Sequence, residues 1–342
     1  MEKFLEKRAS RILAAFMMLL MIAMAGCSGG GADLSGGAPE GGGQAYSLRI
    51  GNALADADPI NVGLRQMAEK VSERTGGGLE ISVYPSSRLG DTADVLELAK
   101  SGTNAGIIID SELLAGYVPD MAIYSAPYVF DSMADARKFI DTDIFKEWDA
   151  GLAAHGMRDL GFNWYQGARH FLTNQRVGKP ADLSGLRLCA MDSVAAQESM
   201  KAFGAIPTAM AWDDVYRSLQ VRAIDAAEGH SKAVYSASLY EVIDYVAETG
   251  HFTLYAGLVV SEGWYQSLPY QYKRILLEES RAAGDYATEL TLEMEARQKA
   301  EMEAAGVEFV PVNIGLFKEA SKSVYITMGW EDLKARIDKA LQ

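Results

Sequence analysis

Tyr46-Ser-Leu-Arg-Ile-Gly51, the helical stretch that Pro59 opens, and Leu79-Glu-Ile-Ser-Val-Tyr84 together decide the fold class. Tyr46, Leu48 and Ile50 alternate with polar residues, and so do Leu79, Ile81 and Val83. Both are the period-two pattern of a strand. Between them Leu64, Met67, Ala68 and Val71 share one face at helical spacing, and Thr75-Gly-Gly-Gly78 stops the helix. A helix over 92–100, ending near Gly102, and a short apolar strand over 105–109 continue the alternation, which predicts an α/β layer. A second layer follows Gly167. It has a strand over 186–190, a helix over 193–203 ending at Gly204, a helix over 213–220, and a buried strand over 224–227. Residues 268–305 are rich in Glu, Ala, Leu, Lys and Arg and predict one long helix, with Gly284 the one place for a kink.

Outward from this body, the first 26 residues read as an export signal. Lys3, Lys7, Arg8 and Arg11 precede an apolar run over 12–25, about the length of a signal h-region and short for a membrane span. Met24-Ala-Gly-Cys27 resembles the lipobox of bacterial lipoproteins, with Cys27 as the lipidated residue. Several acyl chains, at roughly 0.8 kcal/mol per buried CH₂, would hold the chain to a bilayer. Residues 27–45 are mostly Gly, Ser, Ala and acidic residues, the composition of a flexible tether. Removing residues 1–26 takes away a net charge of +2 and leaves −16, an acidic balance that argues against nucleic-acid binding. Only Cys27 and Cys189 are present, so a lipidated Cys27 leaves no disulfide within the body.

Catalytic and cofactor signals are missing. His155, His170, His230 and His251 form no pair at helical ligand spacing, and no phosphate-cradling glycine loop is present. Gly76-Gly77-Gly78 ends a helix rather than opening one. Gly167-Ala-Arg-His170 is not a nucleophile elbow. Cys189 in an apolar strand fits inert packing better than catalysis. The sequence therefore predicts no enzyme, no cofactor and no metal.

Several runs resemble one family. Thr75-Gly-Gly-Gly-Leu-Glu-Ile-Ser-Val-Tyr-Pro-Ser-Ser-Arg-Leu-Gly90, Tyr117-Val-Pro119, Ala126-Pro-Tyr-Val-Phe130, Gly167-Ala-Arg-His-Phe-Leu-Thr-Asn174 and Lys179-Pro-Ala-Asp-Leu-Ser-Gly-Leu-Arg-Leu188 look like the DctP-like solute receptors of TRAP transporters. Gly204-Ala, Pro207-Thr208, Met210, Asp214-Val-Tyr216, Asp225, Glu228 and the Trp264 to Pro269 segment continue in register. The resemblance covers residues 46–310. It implies a two-lobed, periplasmic-binding-protein-like α/β fold with crossing hinge strands and a long spanning helix. Lobe I would hold 46–166 plus 255–294, and lobe II 167–254 plus 295–342. It implies an extracytoplasmic, lipid-anchored receptor that closes around a small organic acid and delivers it to the small and large TRAP membrane subunits. Alternatives of the same fold are a receptor for a polyol, amine or sulfonate, or a partner of a membrane sensor kinase.

Site residues follow from the same resemblance. Arg169 is expected to face the ligand carboxylate, where a guanidinium can donate two parallel hydrogen bonds. Cys189 stands where the family usually has a second arginine, and a neutral thiol balances no anion. Arg187, two residues earlier on the same strand face, is either a substitute cation or a solvent-facing residue. Trp212 is expected as an aromatic wall. Asp110 and Glu228 are expected as acceptors, with a helix cap and a hinge brace as their respective alternatives. Gly229 replaces an Asn of sialic-acid receptors, which with Cys189 argues against sialic acid. Thr92 and Asn52 are further candidates for polar contacts, and Trp164 or Tyr165 for the pocket lining.

Overall fold

The structure is a computed structural model that describes residues 45–342, so the expected signal segment, Cys27 and nearly all of the tether lie outside the described residues. Strand β1 (Tyr46–Gly51) runs parallel between β2 (Leu79–Tyr84) and β3 (Ala105–Asp110). Parallel neighbours need crossovers, and the helices Pro59–Thr75 and Thr92–Lys100 supply them. Local chemistry fixes both ends of the first. Asp58 accepts from the Ile60 amide, Pro59 sits in the first turn, and Gly76 takes the left-handed cap.

The second layer is built the same way around β6 (Arg187–Cys189), β7 (Ile206–Thr208) and β8 (Ala226–His230). Two long strands join the layers. β5 (Trp164–Thr173) and β9 (Tyr245–Ser261) run antiparallel to each other, β9 pairing with β3 and β5 with β8. The sheet order is therefore β2-β1-β3-β9-β5-β8-β6-β7, with β4 (Met157–Asp159) and β10 (Glu308–Val310) flanking β9. β8 starts two residues later than the sequence pattern suggests and runs to His230. Asp225, just before it, is engaged by the Arg187 amide and guanidinium.

Helix Tyr270–Ala304 is unbroken over 35 residues and packs on Pro59–Thr75, on β5 and on Ser231–Ser236. Gly284 is a contact position rather than a kink: a Cβ there would lie 2.8 Å from the Asn163 side chain. Apolar clusters cover both faces of each layer. Phe139, Trp148 and Phe162 lie on one side of the first layer and Leu64, Trp164 and Leu276 on the other. Phe171, Phe203 and Phe317 cover one side of the second layer, and Leu172, Val215 and Met302 the other.

The carboxy-terminal segment departs from the expected lobe boundary. Phe317, on helix Ile314–Met328, joins the second-layer cluster, whereas Tyr325, Trp330, Leu333 and Ile337 join the Phe139–Trp148 cluster of the first. The chain returns because helix Glu331–Leu341 carries its apolar residues on one face, and that face fits the exposed side of the first core. Among the described residues no helix is long and apolar enough to cross a membrane.

Candidate functional site

The hinge strands carry the site, and their irregularities shape it. Register between β5 and β9 slips at Gly167, so Gln166 has no cross-strand partner and bulges out. Gly167 has φ +132°, and a Cβ there would crowd Glu295 and His230 at 3.0 Å, so glycine is required. A second slip falls between Arg169 and Phe171. Their partners are Phe252 and Ala247, so residues 248–251 loop away from the ladder.

Arg169 is buried and committed on one edge. Its Nε donates to Glu228 Oε2, and Nη2 donates to Glu228 Oε1 at 2.8 Å and to the Glu228 carbonyl at 2.9 Å. The Met191 amide donates to the same Oε1 at 2.8 Å. His251 Nε2 stands 3.7 Å from Oε2, while its Nδ1 lies 2.7 Å from Thr249 Oγ1 and its ring stacks on Phe171 at 4.3 Å. Burial alone would raise Glu228. The Arg169 charge and the surrounding hydrogen bonds reverse that and hold the carboxyl at about 2. Burial holds His251 below its ordinary value, so the imidazole is neutral at pH 7.

This geometry corrects two expectations. Glu228 presents its carboxylate to Arg169 rather than to the cleft. Arg169, with Nε and both Nη2 hydrogens used, has only Nη1 left; among the described residues nothing accepts from Nη1, and that nitrogen is not sealed in the core. The two-nitrogen fork to a ligand carboxylate is therefore unavailable while Glu228 is in place.

Cys189 ends β6 in the apolar cluster with Leu172 and Val215. Burial pushes its thiol up to about 11, Glu228 adds to the rise and Arg169 opposes it, so the site gains no thiolate and no cation. Arg187 does not substitute. It is half exposed and bound to Asp225, with Nη2–Oδ1 at 2.8 Å. Lys232 reaches from helix Ser231–Ser236 to Asp58 and is likewise paired. Trp212 opens a short 3₁₀ turn, and its ring would lie 3.1 Å from a Cβ at residue 229, so Gly229 makes room for the indole.

Asp110 ends β3 and caps the turn Ser111–Leu114, its Oδ1 accepting from the Leu113 amide at 3.2 Å. The cap and the cleft position coexist, because Asp110 also lines a cavity of about 140 Å³ with Glu112, Tyr124, Ser125, Gln166, Met191, Thr253 and Tyr255. Desolvation raises Glu112, Asp110 adds to the rise, and Arg169 is close enough to oppose it. Met191 also borders a wider cavity of about 580 Å³ on the second lobe, lined by Gln197 and by residues 207–211. Asn52 lies elsewhere: its amide donates to Asn61 Oδ1 at 2.8 Å and its oxygen accepts from the Leu54 amide, which makes it an internal brace. Thr92 is the first residue of its helix and lines neither cavity. Trp164 is fully buried in the core, and Tyr165 donates to Glu295. Gln166, Met191, His251 and Tyr255 were not singled out in the sequence. Only Gln166, immediately before a glycine within an otherwise regular strand, carried a local sign of exposure.

Comparison with known proteins agrees with this architecture. Residues 50–331 match the family model of bacterial extracellular solute-binding protein family 7, DctP. The 2,3-diketo-L-gulonate-binding periplasmic protein YiaO of Escherichia coli is 30% identical over 268 residues, which are 78% of this chain and 81% of that protein. An apo, open TRAP periplasmic solute-binding protein of Escherichia fergusonii is 34% identical with a TM-score of 0.83, covering 86% of this chain and all of that one. A counterpart from Actinobacillus succinogenes with bound L-galactonate is 27% identical with a TM-score of 0.70, over the same shares. With its family match spanning both layers and the hinge strands, the chain belongs to the family 7 extracellular solute-binding proteins, the DctP-type receptors of TRAP transporters.

Proposed function

We propose that this receptor captures a monocarboxylate bearing several hydroxyl groups, a sugar acid, in the gap between its lobes. One observation carries the reading: the site offers one partly free guanidinium nitrogen and an excess of acceptors. Arg169 is neutralised by Glu228, Cys189 supplies no charge, and Lys232 and Arg187 are paired elsewhere. A second ligand carboxylate would meet Asp110 and Glu112 without a cation, at a cost that desolvation magnifies. Ligand hydroxyls instead find acceptors there. The names of the relatives, which include a diketogulonate receptor and a galactonate-bound structure, support the same ligand class.

Arg169, Asp110 and Trp212 are proposed as ligand contacts, Glu228 as the group that positions Arg169, and Cys189 and Gly229 as positions that shape selectivity. The lobes, hinged at β5 and β9, would close over the acid. The cargo would pass to TRAP membrane subunits, and lipidation at Cys27 would keep the receptor at the outer face of the cytoplasmic membrane. Intact-mass measurement of the exported chain, with and without Cys27→Ser, tests the anchor. Calorimetry tests the ligand class. Hexonates should bind, C4-dicarboxylates should bind at least tenfold more weakly, and Arg169→Ala should lose at least tenfold in hexonate affinity. Equal affinity for both classes, or an unchanged Arg169→Ala, would overturn the reading.

A further inference from the structure

We propose that the ion pair between Asp58 and Lys232 is a clamp that holds the two layers together beside the cleft, and that it sets how long a captured acid is retained without touching that acid. This rests on the reading above only in taking the lobes to close over their ligand, and it adds what keeps them closed.

Each partner stands past the carboxyl end of a parallel strand, the end at which open α/β sheets hold their ligands. β1 ends at Gly51, and Asp58 closes the loop that follows it. β8 ends at His230, and Lys232 comes two residues later. The two residues are 174 positions apart and belong to different layers. The Asp58 carboxylate is fixed independently of Lys232. Its Oδ1 accepts from the Ile60 amide at 3.0 Å, as the cap of helix Pro59–Thr75, and its Oδ2 faces Lys232. The loop before it is braced: Asn52 accepts from the Leu54 amide at 3.0 Å, Asn61 donates to the Ala55 carbonyl at 2.8 Å, and the Asp58 amide donates to that carbonyl at 3.0 Å. Lys232 rides on helix Ser231–Ser236, which packs on the spanning helix Tyr270–Ala304 and on β5. A second carboxylate stands near it. Burial raises Glu295 of the spanning helix, the hydrogen bond from Tyr165 opposes that rise, and Lys232 is close enough to oppose it too. Two carboxylates around one ammonium offset the cost of taking it out of water.

Exposure gives the pair its weight. The Asp58 and Lys232 side chains are 5% and 22% exposed. Another pair that runs between the layers, Asp131 with Lys318 of helix Ile314–Met328, is 81% and 38% exposed. Solvent and salt screen the second pair far more than the first. Lys232 also follows His230, the cross-strand partner of Arg169, so the clamp holds the same strand end that carries the anion anchor. Rotation at β5 and β9 that widens the cleft draws Lys232 from Asp58, and a ligand leaves only after that contact breaks.

The test separates the charge from the cap. Asp58→Asn keeps a side-chain oxygen for the Ile60 amide and removes the charge, and Lys232→Met keeps the apolar stem and removes the ammonium. Spin labels on unnatural amino acids at positions 270 and 221, where Tyr270 and Val221 are exposed on the first and second layers, report the separation of the layers in the ligand-free full chain. Each variant should shift and broaden the distance distribution. The double variant should match the single ones, because both remove one interaction. Lys318→Met should match the parent chain. With L-galactonate as the probe, each clamp variant should release ligand about 5-fold faster or more, the low end of coupling between separate sites, and should associate within twofold of the parent. Identical distance distributions in parent and variants would overturn the clamp. So would additive effects of the two substitutions, which would mean that Asp58 and Lys232 act through different partners. Slower association with unchanged release would place Lys232 in capture of the anion and overturn its role in retention. Failure of the parent chain to bind L-galactonate would count against the sugar-acid reading alone, and the distances would still decide the clamp.

Discussion

Two arginine–carboxylate pairs sit on neighbouring strands of the second lobe, and they make opposite use of the same chemistry. Arg169 and Glu228 join β5 to β8 with side chains 10% and 0% exposed; Arg187 and Asp225 lie at the surface with 46% and 34%. Each pair has two nitrogens on two oxygens, plus a further bond from the guanidinium to a backbone carbonyl. Each carboxyl is held at about 2. The causes differ. For Asp225 the hydrogen bond from Arg187 is the main effect and burial opposes it weakly. For Glu228 burial is the largest effect, and the Arg169 charge has to overcome it. Equal acidity therefore hides unequal dependence: one carboxylate tolerates the loss of its partner and the other does not.

The sharpest way to break the comparison is Arg169→Ala. Removing one partner of a buried pair strands the other charge, at a cost of about 3–5 kcal/mol. Chemical denaturation should show a loss of that size, together with the loss of ligand binding. Adding Glu228→Gln should recover most of the stability and none of the binding. Recovery of both would mean that Arg169 serves only to neutralise Glu228.

Acid separates the pairs from the rest of the molecule. Both carboxyls have folded values below their unfolded ones. They therefore contribute stability above pH 4.5, which is lost as pH falls from there toward 2. His170 and His230 are depressed to about 3, burial being the main cause in each, and each uses Nδ1 as an acceptor, from the Gly250 and Ala233 amides respectively. A depressed histidine stabilises the fold above its unfolded value near 6.5, and that stability is lost as pH falls below it. Between pH 6.5 and 5 these two histidines together should cost on the order of 2–4 kcal/mol, with His251, which burial also depresses, adding to the loss and the carboxyls that burial raises, Glu112 and Glu295, opposing it. Replacing His170 with Gln should flatten the denaturation–pH curve in that window and leave the fall below pH 4.5 unchanged. A curve already flat from 6.5 to 5 in the parent chain would mean that these rings are solvated.

A third change would give the cleft a second cation. Cys189→Arg places a guanidinium beside the Arg169–Glu228 pair, whose own charges cancel. C4-dicarboxylates should gain about tenfold relative to hexonates, the size of one charge-assisted contact. An identical ligand ranking would remove residue 189 from the determinants of selectivity.

How much of this was legible in the sequence depends on the range of the interaction. The strand and helix alternation, the helix start at Pro59 and its stop at Gly76 are local and stood out, and Gly167-Ala-Arg169 was legible through the family resemblance. The commitment of Glu228 to Arg169 was not legible, because it joins residues 59 positions apart through the register of β5 with β8. His251 was hidden because residues 248–251 leave the ladder and the continuous buried run at 255–261 carries no period-two alternation from which to place them. The family resemblance assigned 295–342 to the second lobe, while the apolar face of 331–341 packs on the first. In each case the signal lay in which distant surface was available to pack against, which periodicity does not record.

The smallest effect completes the contrast. Arg187→Ala removes as many hydrogen bonds to a carboxylate as Arg169→Ala does, yet it leaves Asp225 in water, where solvent and salt screen it. The acidity of Asp225 therefore overstates the worth of its pair. The variant should lose no more than about 1 kcal/mol, the loss should shrink further in high salt, and ligand affinity should stay within twofold of the parent. A loss as large as that of Arg169→Ala would mean that Asp225 orders the start of β8, and with it the Glu228 that follows three residues later. The surface pair would then be part of the machinery that holds the anchor rather than a contrast to it.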